Sequence, residues 1–398
     1  MSPIYLILGI RPDVIRASLL IKKLKDLLPN DFKFIWAGQH YSDNMKDIFF
    51  RQLDVPNPDI TLNTQTGSDL KYISSLMLEL ESLFISTRPQ AVIFLGDTNT
   101  VLGSIAAAAA NIPILHIEGC MRSYDWRMPE EKYRTIIDHL SDIIYAYTEE
   151  YKSQGISEGL DQRNIIVTGN PIVDVIDHFF KSGKIRMAST ELEELNKNLN
   201  IVESEYYLMT CHRRENIEDL KSLSNIINLA GNFDKKVIFI AGYGTQEKIK
   251  LFDVKIPSNV QMIDPIGYVE ILELVTGSRG VFTDSGTLVE ECSILNVPSI
   301  QLRISTERPE VYDVGGSLKF DPNLDYTTDQ INKLINKFSN LYGKKWKHAL
   351  GSGDASSVIA KDIFEKFKNN NFRFRGASHS NHRARNYGTG NGNLGDFL

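Results

Sequence analysis

Carboxylates, arginines and hydroxyls gathered at the ends of short apolar runs are the residues of this chain whose types and spacing could do chemistry. The run Val281-Phe-Thr283 gives way to Asp284-Ser-Gly-Thr287 and then to a helical pattern through Ile294. A glycine and two hydroxyls at a strand-to-helix turn leave free backbone N–H groups at a helix N-terminus, an anion site most often used for phosphate. Glu290 and Glu291 follow within about one turn, so one carboxylate can reach sugar hydroxyls beside a bound phosphate. Two guanidinium groups stand in the next loop, Arg303-Ile-Ser-Thr-Glu-Arg-Pro-Glu310. For the turn alone, the plain alternative is a helix capped by Ser or Thr.

The N-terminal half carries the complementary set. Asp97 follows the run Pro89-Gln-Ala-Val-Ile-Phe-Leu95, in Gly96-Asp-Thr98, and Glu118 ends Pro113-Ile-Leu-His-Ile-Glu118. Glu130 follows Pro129 at the start of a helical pattern, where the helix dipole is its plain explanation. Carboxylates at one cleft are candidates for proton transfer, because burial and mutual repulsion raise a pKa toward working pH. Arg11 and Arg16 lie in Gly9-Ile-Arg-Pro-Asp-Val-Ile-Arg16, after the first apolar run; the alternative is a pair of solvated helix charges. His212, in His212-Arg-Arg-Glu-Asn216, is a lone histidine at a strand end, otherwise read as a hydrogen-bonded loop residue. His116 reads as structural, and His139, His178 and His348 as surface residues of helical patterns.

These residues need strands to aim them and helices to space the strands. Apolar runs at 4–9, 32–37, 89–96, 113–118, 142–147 and 164–169 alternate with helical patterns, including ones at about 43–53 and 69–88. That alternation predicts an α/β fold with a doubly wound parallel sheet. A charge-rich helix at 186–199 precedes a second alternating set, with strands at 206–211, 236–241, 259–263, 280–283 and 299–302. Two Rossmann-like halves imply a ligand in the cleft between them. A final helix is expected at 355–367. The Gly/Asn-rich stretch 373–398 reads as a disordered tail.

Composition narrows the function. With 398 residues the chain has room for two domains. A net charge of −6 argues against a general nucleic-acid binder. The separated cysteines Cys120, Cys211 and Cys292 form no CxxC, which disfavours zinc ribbons and suits a reducing cytoplasm. No run approaches the roughly 20 apolar residues of a membrane span. GxGxxG is missing, so no dinucleotide fingerprint is expected.

Taken in order over residues 4–316, the motifs resemble the non-hydrolysing UDP-N-acetylglucosamine 2-epimerases. The stretches are Gly9-Ile-Arg-Pro-Asp13, Gly38-Gln-His40, Gly96-Asp-Thr98, His116-Ile-Glu-Gly119, Arg122-Ser123, Pro129-Glu-Glu131, Thr168-Gly-Asn170, His212-Arg-Arg-Glu-Asn216, Asp284-Ser-Gly286 with Glu290-Glu291, and Thr306-Glu-Arg-Pro-Glu310. The resemblance implies a GT-B architecture, two Rossmann-like domains facing a central cleft. They would span 1–170 and 171–354, with helix 355–370 crossing back onto the first. It implies a cytoplasmic, homodimeric isomerase that epimerises C2 of a UDP-linked 2-acetamido sugar through a glycal. No cofactor and no metal would be needed, and no nucleic acid or membrane would be a partner. Carried over by position, Asp97, Glu118, Glu130 and His212 are the acid/base candidates. Ser285, Gly286 and Thr287 would hold the diphosphate, Glu291 the ribose, Arg11, Arg16 and Arg308 the UDP charge, and Tyr268 the uracil pocket near Pro265–Tyr268. Thr287 stands where the family has a second glycine, Arg16 where lysine is common, and Gly242-Tyr-Gly-Thr245 where a His-Pro-Asn loop is usual. These departures leave UDP-GlcNAc and a 6-deoxy relative both open as substrate. A GT-B glycosyltransferase, a hydrolysing 2-epimerase and a non-catalytic UDP-sugar sensor are the alternatives.

Overall fold

A run such as Ile4-Tyr-Leu-Ile-Leu8, apolar at every position, is stable only as a strand covered on both faces. In the computed structural model, which describes residues 2–38 and 53–372, such runs build two parallel sheets flanked by helices. The first holds β1 (Ile4–Leu8), β2 (Phe32–Trp36), β3 (Ile60–Thr61), β4 (Ala91–Leu95), β5 (Ile114–Ile117), β6 (Ile143–Ala146) and β7 (Ile165–Val167), in the order β3-β2-β1-β4-β5-β6-β7. The second holds β8 (Tyr206–Thr210), β9 (Lys236–Ile240), β10 (Val260–Ile263), β11 (Val281–Thr283), β12 (Ser299–Leu302) and β13 (Ser317–Phe320), in the order β10-β9-β8-β11-β12-β13. Each sheet reverses its winding once, between β1 and β4 and between β8 and β11. Helices leave to opposite faces at such a point, so a crevice opens beyond the strands' carboxyl ends.

The first sheet is followed through by α1 (Arg11–Leu27), α2 (Asp69–Thr87), α3 (Ser104–Ala109), α4 (Pro129–Leu140), α5 (Glu149–Ser157) and α6 (Pro171–Val175), which continues in a π-helical turn Ile176–Lys181. After α7 (Ser189–Leu199) the second sheet carries α8 (Arg214–Ile217), α9 (Leu220–Gly231), α10 (Tyr243–Leu251), α11 (Tyr268–Thr276), α12 (Gly286–Leu295), α13 (Glu310–Asp313) and α14 (Thr328–Ser339). The helix α15 (Ala355–Lys368) follows.

α15 packs on the first half. Its Ile359, Ala360, Ile363 and Phe367 are buried in one cluster with Leu20 and Leu24 of α1 and Val173 of α6. Two polar ties fix it. Asp174 accepts from the backbone N–H groups of Ala355 and Ser356, at 3.2 and 2.6 Å, and so caps the helix from a distant element. The Tyr145 hydroxyl donates to Asp362 at 2.8 Å. Tyr268, Leu272 and Ile294 of the second half join the same apolar cluster, so the halves share a seam.

Some expectations differ from what is found. The strands β3 and β13 were not expected. The alanine-rich helix starts earlier, at Ser104, after a 3-10 turn Asn99–Gly103. His348 is not helical: it is half-buried in the loop between α14 and α15, where the Leu350 N–H points at its Nδ1 at 3.4 Å. His139 and His178 are exposed and His116 is buried, as expected. Gln39, His40, nearly all of the helical pattern at 43–53 and the tail 373–398 lie outside the described residues.

Candidate active site

Residues of both crevices line one cavity, and the second half contributes a helix start whose free N–H groups suit an anion. Ser285 caps α12 by accepting from the Leu288 N–H at 3.3 Å. Gly286 and Thr287 follow as the first helical residues, where backbone N–H groups have no intrahelical acceptor. Position 286 has no room for a side chain, because a Cβ there would stand 2.6 Å from Nη1 and 2.8 Å from Cζ of Arg308. The cation is thereby held against the helix N-terminus. Asp284 faces inward instead. It accepts from the N–H groups of His212 and Arg213, both at 2.9 Å, and from Asn216 Nδ2 at 3.1 Å. His212 Nδ1 lies 3.3 Å from its carboxylate. Burial pushes the Asp284 pKa up, but His212 and these N–H groups outweigh it and hold the carboxyl below its ordinary range.

Beside this turn lies a mostly apolar cavity of about 370 Å³, walled by Ile15, Ile240, Pro265, Tyr268, Ile271 and Leu288, with Arg11 at its edge. Its apolar lining suits a ring system. Glu291 also lines it and accepts from the Tyr268 hydroxyl at 2.9 Å. Burial pushes its pKa up to about 8, against the lowering effect of that hydrogen bond.

The first half supplies the carboxylates. Glu118 leaves β5 with φ of 79°, a left-handed conformation that side chains other than glycine adopt at a cost of order 1–3 kcal/mol. Such strain persists where the surroundings over-determine it, and here they do. Arg16 pairs with Glu118, the Tyr147 hydroxyl donates to it at 2.9 Å, and Arg308 reaches it from the second half at 3.1 Å. Arg16 itself is buried, so the reading of it as a solvated helix charge does not hold. Asp97 is half-buried beyond β4 and is ion-paired with Arg134 of α4. It is not a helix cap: Thr98 occupies that position. Gly96 before it has φ of 86°, and a Cβ there would come within 3.0 Å of Arg16 Nη2. Glu130 is half-buried on the cavity wall, with no ion pair among the described residues.

Asp97, Glu118, Glu130, Arg16, His212, Ser285, Gly286, Thr287 and Arg308 all line one cavity of about 390 Å³. It adjoins the apolar cavity through Pro12, His212, Ser285 and Thr287, which line both. Arg11, Tyr268 and Glu291 belong to the apolar cavity alone.

Two buried carboxylates beside these groups, Glu307 and Asp13, were not singled out in the sequence. Arg308 bonds Glu290 at 2.6 Å and also pairs with Glu307. Glu307 receives Arg303 at 2.9 Å. Burial raises the Glu307 pKa, but Arg303, Arg308, Arg134 and Arg213 overwhelm it and hold the carboxyl far below its usual range. Burial lifts Asp13 to about 6 in spite of Arg16. His116 bridges the Gly96 carbonyl at 2.8 Å and Asp138 at 2.7 Å, tying the β4 and β5 turns together. Among the described residues no group of three or more His, Cys, Asp or Glu is placed to hold a metal ion, and no helix is long and apolar enough to cross a membrane.

Known proteins share this arrangement. A family model described as UDP-N-acetylglucosamine 2-epimerase matches residues 23–363. The UDP-N-acetylglucosamine 2-epimerase of Methanocaldococcus jannaschii is 34% identical over 371 residues, 89% of this chain and 97% of its own. The UDP-2,3-diacetamido-2,3-dideoxy-D-glucuronate 2-epimerase of Pseudomonas aeruginosa is 30% identical over 363 residues, 89% of this chain and 97% of its own. The crystal structure of the M. jannaschii enzyme in complex with UDP-GlcNAc and UDP superposes with a TM-score of 0.81, covering 91% of this chain and 99% of that one. That neighbour gives the GT-B-like fold, and the family match, running through both halves and their facing crevices, makes this chain a member of the UDP-N-acetylglucosamine 2-epimerase family of isomerases.

Proposed function

We propose that the chain interconverts UDP-N-acetylglucosamine and UDP-N-acetylmannosamine by elimination and re-addition of UDP. One observation carries this reading: carboxylates of the first half and anion binders of the second face the same cavity of about 390 Å³. A carboxylate takes the C2 proton. The C1–O bond breaks, its electron pair leaves with UDP, and a C1=C2 glycal remains. Reprotonation of C2 on the opposite face and attack of the UDP oxygen on C1 give the epimer. Asp97, Glu118, Glu130 and His212 are the proposed proton-transfer groups. The Ser285–Thr287 helix start, with Arg16 and Arg308, stabilises the departing diphosphate. Uracil stacks in the apolar cavity with Tyr268, Glu291 takes ribose hydroxyls, and Arg11 closes the rim. Asp69, Asn99, Arg214 and Glu215 on the wall of the carboxylate cavity favour a sugar bearing hydroxyls over a 6-deoxy sugar.

We further propose two units, 1–170 with 355–370 and 171–354, joined by α6, and a cytoplasmic homodimer. Leu70, Leu78 and Ile85, exposed within about 80° of one another on α2, support an apolar contact with a second copy. Light scattering that returned a monomer mass would remove the dimer.

Proton NMR of the protein with UDP-GlcNAc in D2O tests the chemistry. The expected outcome is deuterium at C2 of both the gluco and manno UDP-sugars. Free N-acetylmannosamine would point to a hydrolysing enzyme instead. Glu118→Gln should lose exchange by about 100-fold or more while still binding UDP; full turnover would end the role given to Glu118.

A further inference from the structure

Arg134 lies on the inward face of α4 with its side chain 2% exposed. One guanidinium nitrogen pairs with Asp97 and another donates to Glu131 at 3.0 Å. Glu131 in turn accepts from the Ser123 N–H at 3.0 Å, the Ser123 hydroxyl at 2.8 Å and the Tyr124 N–H at 2.8 Å. Asp125, next in that loop, accepts from the Ser305 hydroxyl of the second half at 2.9 Å. A chain of polar contacts therefore runs from the second half, through the 123–125 loop, to one candidate base.

We propose that Arg134 is a positioning residue for the epimerisation: it orients the Asp97 carboxylate toward the sugar and holds it ionised, with Glu131 fixing the guanidinium in turn. This rests on the epimerase reading and assigns a residue that touches neither nucleotide nor sugar. Geometry leaves little else for Arg134 to do. A buried guanidinium bound to two carboxylates of different elements locks both, and Asp97 has no other ion-pair partner among the described residues. The groups that face Asp97 are Arg134 from α4, Glu307 and Arg308 from the 303–310 loop, Arg213 from the turn after β8, and Asp13 from α1. Burial works to raise the Asp97 pKa, and Arg134 is the largest influence opposing it; the net is a lowered pKa. Without Arg134 the carboxylate takes up a proton at higher pH and swings free.

The test is kinetic, on the full-length protein with UDP-GlcNAc over about pH 3.5–9, a range that reaches the acid limb of a carboxyl held below its ordinary value. Arg134→Gln should lower kcat about 100-fold at neutral pH and shift the acid limb of kcat up by about one unit. KM should change less than about 3-fold, and the calorimetric affinity for UDP should stay unchanged, which also reports an intact fold. Arg134→Lys, which keeps a cation, should recover about tenfold of the lost kcat with a smaller shift of the limb. An unshifted limb, an equal loss at every pH, or a Lys variant no better than Gln would overturn the proposal. If Arg134→Gln binds no UDP, the limb of the Lys variant decides alone. Asp97→Asn separates the levels: inactivity of that variant beside an unshifted Arg134→Gln profile sinks only this inference, whereas full C2 exchange by Asp97→Asn sinks the role given to Asp97 as well.

Discussion

Glu291 is the residue where the proposed ribose contact and stability meet. Its folded pKa of about 8 lies above the ordinary glutamate value, so the folded ligand-free protein holds a proton there that the unfolded chain releases. The stability it contributes is complete below about pH 4.5 and falls as pH rises toward 8, at up to about 1.4 kcal/mol per unit. Glu310, pushed by burial to about 7, and Asp13, at about 6, act with the same sign over lower windows. Glu291→Gln should therefore flatten the loss of melting temperature between pH 7 and 8, measured by calorimetry without ligand; an unchanged slope would refute the assignment. At this scale the sequence told some residues apart and not others. Ser285 and Gly286 were legible as a helix start, because a serine followed by glycine at a strand end marks the N-terminus that the structure shows for α12. Arg134 was not: an arginine inside a helix reads as a solvated charge until the fold brings Asp97 against it. Glu131 hid in the same way, since a glutamate in the first turn of a helix is already explained by the dipole.

Among the elements, α15 depends on a residue far from it in the chain. Asp174 supplies the cap that α15 lacks locally, since its own Asp354 makes no side-chain cap bond. Asp174→Ala should cost about 1–2 kcal/mol and speed amide hydrogen exchange in the first turn of α15. An unchanged exchange rate would show the cap to be idle. The long apolar runs announced β1, β4, β5 and β8 because strands buried on both faces carry a continuous signal. β3 has two residues, Ile60 and Thr61, too few for any period to register. His348 went astray because Lys344–Lys347 resembles a helix surface, whereas the segment is a loop whose Trp346 is held by Asn296 and by the Ser293 carbonyl.

For the whole molecule, the two facing sheets were legible from strand–helix alternation, and the seam between them was not. Tyr268, Leu272 and Ile294 look like ordinary core of the second half, yet they complete the first. Ile359, Ile363 and Phe367 of α15 complete it as well, each buried to within 1%. Burial of three such side chains contributes about 5–9 kcal/mol, comparable with the whole stability of an ordinary domain. A chain ending before residue 355 should thus fail to give a soluble first half with fixed near-ultraviolet dichroism, while one ending after 372 should succeed. A soluble, well-packed shorter chain would contradict this.

The return of α15 also sets a timetable for the ribosome. The face of α1 that α15 covers is made early, and its cover is made only after the entire second sheet. At about 5–20 residues per second the stretch from Val167 to Ala355 takes roughly 10–40 s to synthesise. For that interval the nascent first half lacks the α15 side chains that complete its cluster with Leu20 and Leu24, so it is in this window, before release, that a chaperone holding apolar surface has something to hold.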